Sequence, residues 1–300
     1  MTADERTHLE RVLDAHRRRL RELEVSAART GFNTPPEVTG EISEIREQIL
    51  AVTRQLTDLL PPGHVPVDLV SYPDALGPAG GRLRVDWSQW FAPAPPTPEI
   101  WQAELLPALR GVVQQLNRHA SRLIALRIKA HLSAALAFGY ALRGTSGFQI
   151  WVEQAPGTWW RGSGPAAEET PLLASEPDAA AEGDIAIDVS VARDASAAVR
   201  AYLADQAVPI GRRIHLAPVG GPGQDAVRDA SHALAMVKQI RALLEAVRAE
   251  RPRETIHLFV AAPVGLAVLI GAQLNACEPV QCYEFARPAN VYVPAALLTP

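Results

Sequence analysis

From Leu126 to Phe285 the chain states one pattern twice. LRIKAHLSAALAFGYALRGTSGFQIWVE, starting at Leu126, aligns without a gap on LFVAAPVGLAVLIGAQLNACEPVQCYEF, starting at Leu258, at a constant offset of 132 residues. Six positions are identical: Leu126/Leu258, Ala130/Ala262, Ala135/Ala267, Gly139/Gly271, Leu142/Leu274 and Gln149/Gln281. Each copy passes from a short β-type stretch through a turn into an Ala-rich helix and then into a second β-type stretch. That order predicts two βαβ units, with strand ends of both facing one pseudo-symmetric cleft. Such a cleft suits a ligand with internal symmetry of its own.

The 300 residues are 48% hydrophobic, enough for a full core. A net charge of −4 argues against a general nucleic-acid coat, which needs a basic excess. Cys277 and Cys282 have no Cys or His partners at metal spacing, so they read as free thiols and no metal site is expected. MTADERTH lacks the features of a signal peptide, and the apolar run at Leu258 is broken by Pro263 and Gly265. The expected location is the cytoplasm.

Residues 1–60 differ from the rest. Leu9, Leu13, His16, Leu20, Leu23 and Ala27 recur at 4,3 spacing, as do Val38, Ile42, Ile45, Ile49, Val52, Leu56 and Leu59. Gly31 is placed to end one helix, and Thr34-Pro35-Pro36-Glu37 to start the next as a capping box. An antiparallel helical hairpin is expected, either packed on the body or offered to another protein. Further on, RLRVDW at Arg82 reads as a strand, and a helix is expected over Glu99–His119 despite Pro107. A turn is placed at Trp159-Trp160 and a flexible acidic connector over 162–184. After it come strand Ile185–Val189, helix Ala195–Leu203, strand Arg213–Ala217, a glycine-rich loop and a helix from Asp225 to Glu250. The pattern predicts an α/β fold of two fused Rossmann-type halves, about 61–161 and 185–300, with mostly parallel sheets.

No catalytic signature is found: no Walker A, His-Glu-x-x-His, Gly-x-Ser-x-Gly or Cys-x-x-Cys. In VGGPGQDA the amides of Val219, Gly220, Gly221, Gly223 and Gln224 follow a strand and precede a helix, a place where phosphate or ribose can be held. The matching loop of the first half carries Trp87 and Trp90, which suit either base stacking or core packing. At the first repeat's turn stand Lys129, His131 and Ser133, where the second has Ala261, Pro263 and Gly265. Lys129 is one of two lysines among 29 basic residues. Trp151 and Tyr283 occupy matched positions, as sheet packing or as base platforms.

With the repeat in view, DIAIDVSVARDASAAVRAYL at Asp184, RRIHLAPVGGPGQDAVRDASHALAMVKQI at Arg212 and ETIHLFVAAPVGLAVLIGAQLNACEPVQCYEF at Glu254 resemble the SAVED domain of bacterial antiphage signalling, found in CBASS and type III CRISPR systems. LIALRIKAHLSAALAFGYALRG at Leu123 with FQIWVE resembles it more weakly. The resemblance implies two CARF-like halves over 61–300 that bind a cyclic oligonucleotide, such as a cyclic tri- or tetra-adenylate, with no cofactor. It further implies head-to-tail self-assembly and control of an effector, for example a protease or nuclease, reached through residues 1–60 or lying beyond Pro300. The implied ligand contacts are Lys129, His131, Ser133, Trp87, Trp90, Trp151, the Val219–Gln224 loop, Pro263 and Gly265. A ring nuclease acting through His131 or Ser133, and a noncatalytic adaptor, are the competing readings.

Overall fold

The computed structural model describes residues 3–30, 35–57, 63–73, 76, 82–155, 158–179 and 182–300. They divide into two compact units, Met1–Pro62 with Ala155–Thr158, and Gly63–Gln154 with Trp159–Pro300.

The first unit holds helices α1 (Ala3–Thr30) and α2 (Pro36–Thr57), which pack on each other. Leu13, Leu23 and Ile45 of the two apolar seams are buried and His16 is half-buried among them. Arg19 to Glu41 at 2.8 Å and Arg46 to Glu24 at 2.7 Å tie the helices at their exposed rims. Gly31 and Thr34, the expected stop and start signals, lie outside the described residues.

The second unit contains two sheets. The first is built from β1 (His64–Val70), β2 (Leu83–Asp86), β3 (Leu123–Lys129), β4 (Gln149–Ala155) and β5 (Thr158–Arg161), in the order β2-β1-β3-β4-β5. The second takes β6 (Leu172–Ala179), β7 (Asp184–Ser190), β8 (Ile210–Pro218), β9 (Ile256–Ala261), β10 (Val280–Ala286) and β11 (Val291–Leu298), in the order β11-β10-β9-β7-β8-β6. Pairing is parallel from β2 through β1 and β3 to β4, and from β8 through β7 and β9 to β10, while β6 and β11 add antiparallel edges. Helices α3 (Ser88–Phe91), α4 (Pro98–Ile100), α5 (Leu106–Leu116) and α6 (Leu132–Ala141) serve the first half, and α7 (Ser196–Asp205), α8 (Ala230–Glu250) and α9 (Val264–Gly271) the second. This is the mixed α/β, Rossmann-like architecture of two fused halves.

The repeat is real in three dimensions: β3-α6-β4 and β9-α9-β10 are its two copies. Helices α6 and α9 are apolar on every side, the composition of helices with no solvent face. They pack on each other where the halves meet, and one continuous core runs through both. A Cβ on Gly139 would overlap the backbone oxygen of Val268, and one on Gly271 that of Leu136. Because Leu136 and Val268 are themselves a repeat pair, the two clashes are one contact seen from both sides of a pseudo-twofold axis.

The duplication also reaches beyond the aligned segment. In the ladders, β1 sets Asp68 opposite Arg127 and β7 sets Asp188 opposite Phe259, and Arg127 and Phe259 are repeat partners. Both aspartates are fully buried. Asp68 receives Arg82 at 2.5 Å and Arg127 at 2.7 Å; Asp188 is bonded to His215, with Arg213 at 3.7 Å. Thus Asp68/Asp188 and Arg82/Arg213 are further matched pairs.

Four expectations need correction. The helix expected over Glu99–His119 is split by a π turn, Trp101–Leu105, just before Pro107, whose missing N–H a regular helix cannot accommodate, and α5 stops at Leu116. Trp159-Trp160 is strand β5, not a turn, because Trp160 packs into the core. Within the supposed flexible connector, 172–179 forms β6, an edge position that tolerates Glu176, with the ladder shifting between Ser175 and Asp178 around Pro177. Helix α8 begins at Ala230 rather than Asp225, because Asp229 caps it by accepting the His232 N–H.

Candidate ligand cleft between the two halves

In each sheet the chain leaves a central pair of strands in opposite directions, at β1/β3 and at β7/β9. Open α/β sheets form a crevice beyond the carboxyl ends of such a pair. The two crevices are brought together by reciprocal caps. Glu284, at the end of β10, accepts the Ser133 N–H at 2.8 Å and the Ser133 hydroxyl at 2.7 Å at the start of α6. Gln154, at the end of β4, accepts the Gly265 N–H at 3.2 Å at the start of α9. Ser133 and Gly265 are a repeat pair, so each half supplies the cap for the other half's helix.

Around this junction the first half presents Ser71, Tyr72, Lys129 and His131. The His131 ring is stacked on Tyr72 at 4.1 Å and on Phe91 at 4.4 Å, too close for both to share one face, so it lies between them. Ser71 Oγ accepts the His131 N–H at 2.7 Å and lies 2.6 Å from its Nδ1. Burial lowers the imidazole pKa to about 4, so the ring is neutral at pH 7. Lys129 is exposed at the end of β3. Opposite, the Arg193 guanidinium lies 3.9 Å from the centre of the Phe285 ring. The Tyr72 phenol is shifted upward by burial, then by Glu284, with Arg287 opposing, so groups of both halves bear on it. Burial also raises the Glu284 carboxyl, against the pull of its Ser133 bonds.

The expected contacts are thereby redistributed. Lys129 and His131 stand at the junction, His131 as an uncharged spacer. Ser133 is fully buried with both donors spent on Glu284, leaving none for a ligand. Trp87 is a core residue set edge-on to Trp101, and Trp90 packs half-buried against the same core. Trp151 lies toward the amino end of β4, between His64 and Arg161, and so belongs to sheet packing. Its partner Tyr283 is buried against Phe259.

In the glycine-rich loop the N–H groups of Val219, Gly221 and Gly223 go to Pro171, Pro218 and Val191, so three of the expected amide donors are already used. Gly220 and Gln224 are exposed beside a cavity of about 730 Å³ that also meets Glu169, Arg228 and His232. Pro263 is half-buried as the α9 cap residue, and Gly265 is enclosed, a Cβ there meeting Gln154 Oε1 at 2.6 Å. Tyr72, Arg193, Arg287, Gln154 and Glu284 were not foreseen. For Tyr72 a signal existed: it follows a strand, HVPVDLV, directly at its carboxyl end. Among the described residues no cluster of His, Cys, Asp or Glu has the geometry of a metal site, and no helix is long and apolar enough to cross a membrane.

Comparison with known proteins fits this architecture. A relative from Enterobacter hormaechei subsp. hoffmannii, CD-NTase-associated protein 4, is 29% identical over 195 residues, 63% of this chain and 38% of its own length. Among solved structures, the Acinetobacter baumannii Cap4 SAVED/CARF-domain containing receptor with the cyclic trinucleotide 2'3'3'-cAAA superposes with a TM-score of 0.65 at 18% identity, covering 85% of this chain and 55% of that one. The Moraxella osloensis Cap4 receptor gives 0.60 at 16%, covering 87% and 57%. The chain therefore spans little more than half of these receptors and less of the curated relative. Residues 105–298 match the family model of the SMODS-associated and fused to various effectors sensor domain, and the chain belongs to that family, SAVED.

Proposed function

We propose that the chain is a sensor that binds a cyclic oligonucleotide, a cyclic tri- or tetra-adenylate, where the carboxyl ends of its two sheets converge. The observation that carries the reading is the reciprocal capping of α6 by Glu284 and α9 by Gln154, which joins the strand ends of the two halves beside Tyr72 and Arg287; in this reading Lys129, at the end of β3, and Arg193, over Phe285, line the same crevice. An anionic ring in a net-acidic protein needs basic side chains gathered locally, and these three supply them. The related A. baumannii receptor is described with the cyclic trinucleotides 2'3'3'-cAAA and 3'3'3'-cAAA. In this reading the ligand is bound in the cytoplasm without cofactor, copies assemble head to tail, and an effector is switched on in antiviral defence, with residues 1–60 as the surface that meets it. The buried, bonded state of Ser133 supports a noncatalytic sensor over a ring nuclease.

Calorimetry of the purified protein against cyclic di-, tri- and tetranucleotides is expected to give one or more submillimolar complexes. Lys129→Ala is expected to weaken the tightest at least tenfold, about 1.4 kcal/mol. No binding tighter than millimolar across the panel would end the sensor reading. Linear products after incubation would convert it into the nuclease one.

A further inference from the structure

We propose that Tyr72 is the platform on which one base of the ligand stacks, and that the first half alone carries such a platform. The inference rests on the sensor reading above. Three rings form a column that runs outward from the core: Phe91 is 5% exposed, His131 half-buried and Tyr72 46% exposed. Tyr72 is the one aromatic among the exposed large apolar residues described in the chain. An aromatic ring held half in water, with one face already stacked, presents its other face to a flat partner. A nucleobase matches that face in shape and tolerates any sequence, since every base has a π-surface.

The column is rigid where it matters. Ser71 Oγ accepts the His131 backbone N–H and lies 2.6 Å from its Nδ1, two contacts from one hydroxyl that fix the ring. The location is independent support. Tyr72 and His131 follow β1 and β3, the two strands between which the first sheet's crevice opens. Lys129 sits one strand end away, its carbonyl accepting the Ser71 N–H at 3.0 Å, and Arg287 of the other half acts on the Tyr72 phenol. Base and phosphate chemistry therefore adjoin.

The second half lacks the column. Its matching backbone bond, Val191 N–H to Ala261 O at 2.9 Å, places Val191 where the first half has Ser71. Ala192 then stands for Tyr72 and Pro263 for His131. Neither can stack a base, so the two crevices read the ligand unequally.

The test is calorimetry with cyclic triadenylate on the wild type, Tyr72→Phe, Tyr72→Leu and Tyr72→Ala, with thermal melts to show that each variant is folded. Binding is expected to stay within twofold in Tyr72→Phe and to fall at least tenfold in Tyr72→Leu and Tyr72→Ala. A cyclic trinucleotide carrying 2-aminopurine is expected to be quenched on binding to wild type and Tyr72→Phe and to keep its emission with Tyr72→Ala. Wild-type affinity in Tyr72→Leu and Tyr72→Ala, or an equal loss in Tyr72→Phe, would overturn the platform while leaving the sensor intact. A wild type that binds no cyclic nucleotide would overturn both.

Discussion

His131 is an ionisable residue that the fold keeps from ionising. Between Tyr72 and Phe91 its pKa is pushed down to about 4 from the ordinary 6.5. As pH falls from 6.5 toward 4, the unfolded chain takes up a proton at this ring and the folded chain does not, so the folded state loses stability over that window. Glu284 has the opposite sign: its raised pKa lets the folded chain keep a proton that the unfolded chain releases above 4.5, a stabilisation that fades as pH rises. The melting temperature of the wild type is therefore expected to fall more between pH 7 and pH 5 than that of His131→Asn, whatever the absolute stability of the variant. Parallel curves would show that the ring titrates freely. Sequence alone put His131 and Lys129 at the carboxyl end of a strand, where β3 does end, but could not tell a charged imidazole from a sandwiched one. The difference lies in Tyr72 and Phe91, which are far away along the chain.

At the scale of elements, the α6/α9 contact depends on two glycines that the repeat had already paired. Gly139→Ala and Gly271→Ala each force a methyl into a backbone carbonyl, and each is expected to cost roughly 1–3 kcal/mol in chemical denaturation. Gly111 in α5 has open space around it, so Gly111→Ala is expected to stabilise by about 0.5–1 kcal/mol. Equal effects at the three sites would mean that helix propensity, not close approach, explains the conserved pattern between the copies. Elements that are apolar nearly throughout, such as β3, α6, β9 and α9, were legible because burial on all sides leaves little freedom of composition. Strand β6 was not. Among its described side chains this edge strand has only Leu172 inside and carries Leu173, Ala174, Ser175 and Glu176 in solvent, a composition shared with linkers.

For the whole molecule, the gapless offset of 132 revealed the β3-α6-β4 and β9-α9-β10 units and the loops after β2 and β8 were matched, whereas the correspondence of β1 with β7 went unread. The reason is α7. The second half runs from β7 to β8 through that helix, while the first half joins β1 to β2 over residues 71–82 with no helix among the described positions. The insertion moves the offset between the halves from 120 at Asp68/Asp188 to 131 at Arg82/Arg213, and a fixed-frame comparison loses it. What survived is a buried aspartate facing an arginine in each sheet, kept because removing either member strands a charge in the interior.

Strand β6 leaves the first half's side of the chain and completes the second half's sheet before β7 begins. The β6/β8 ladder thus works as a clasp between the two halves, which the Glu284 and Gln154 caps fasten a second time. A protease site engineered between residues 179 and 184 is expected to yield, after cutting, two unlike fragments that migrate as one particle in gel filtration and part only in denaturant. Fragments that separate in buffer would show the clasp to be ornamental. If they hold, the covalent link is dispensable, and the two pieces made as separate polypeptides should reconstitute the same particle by themselves.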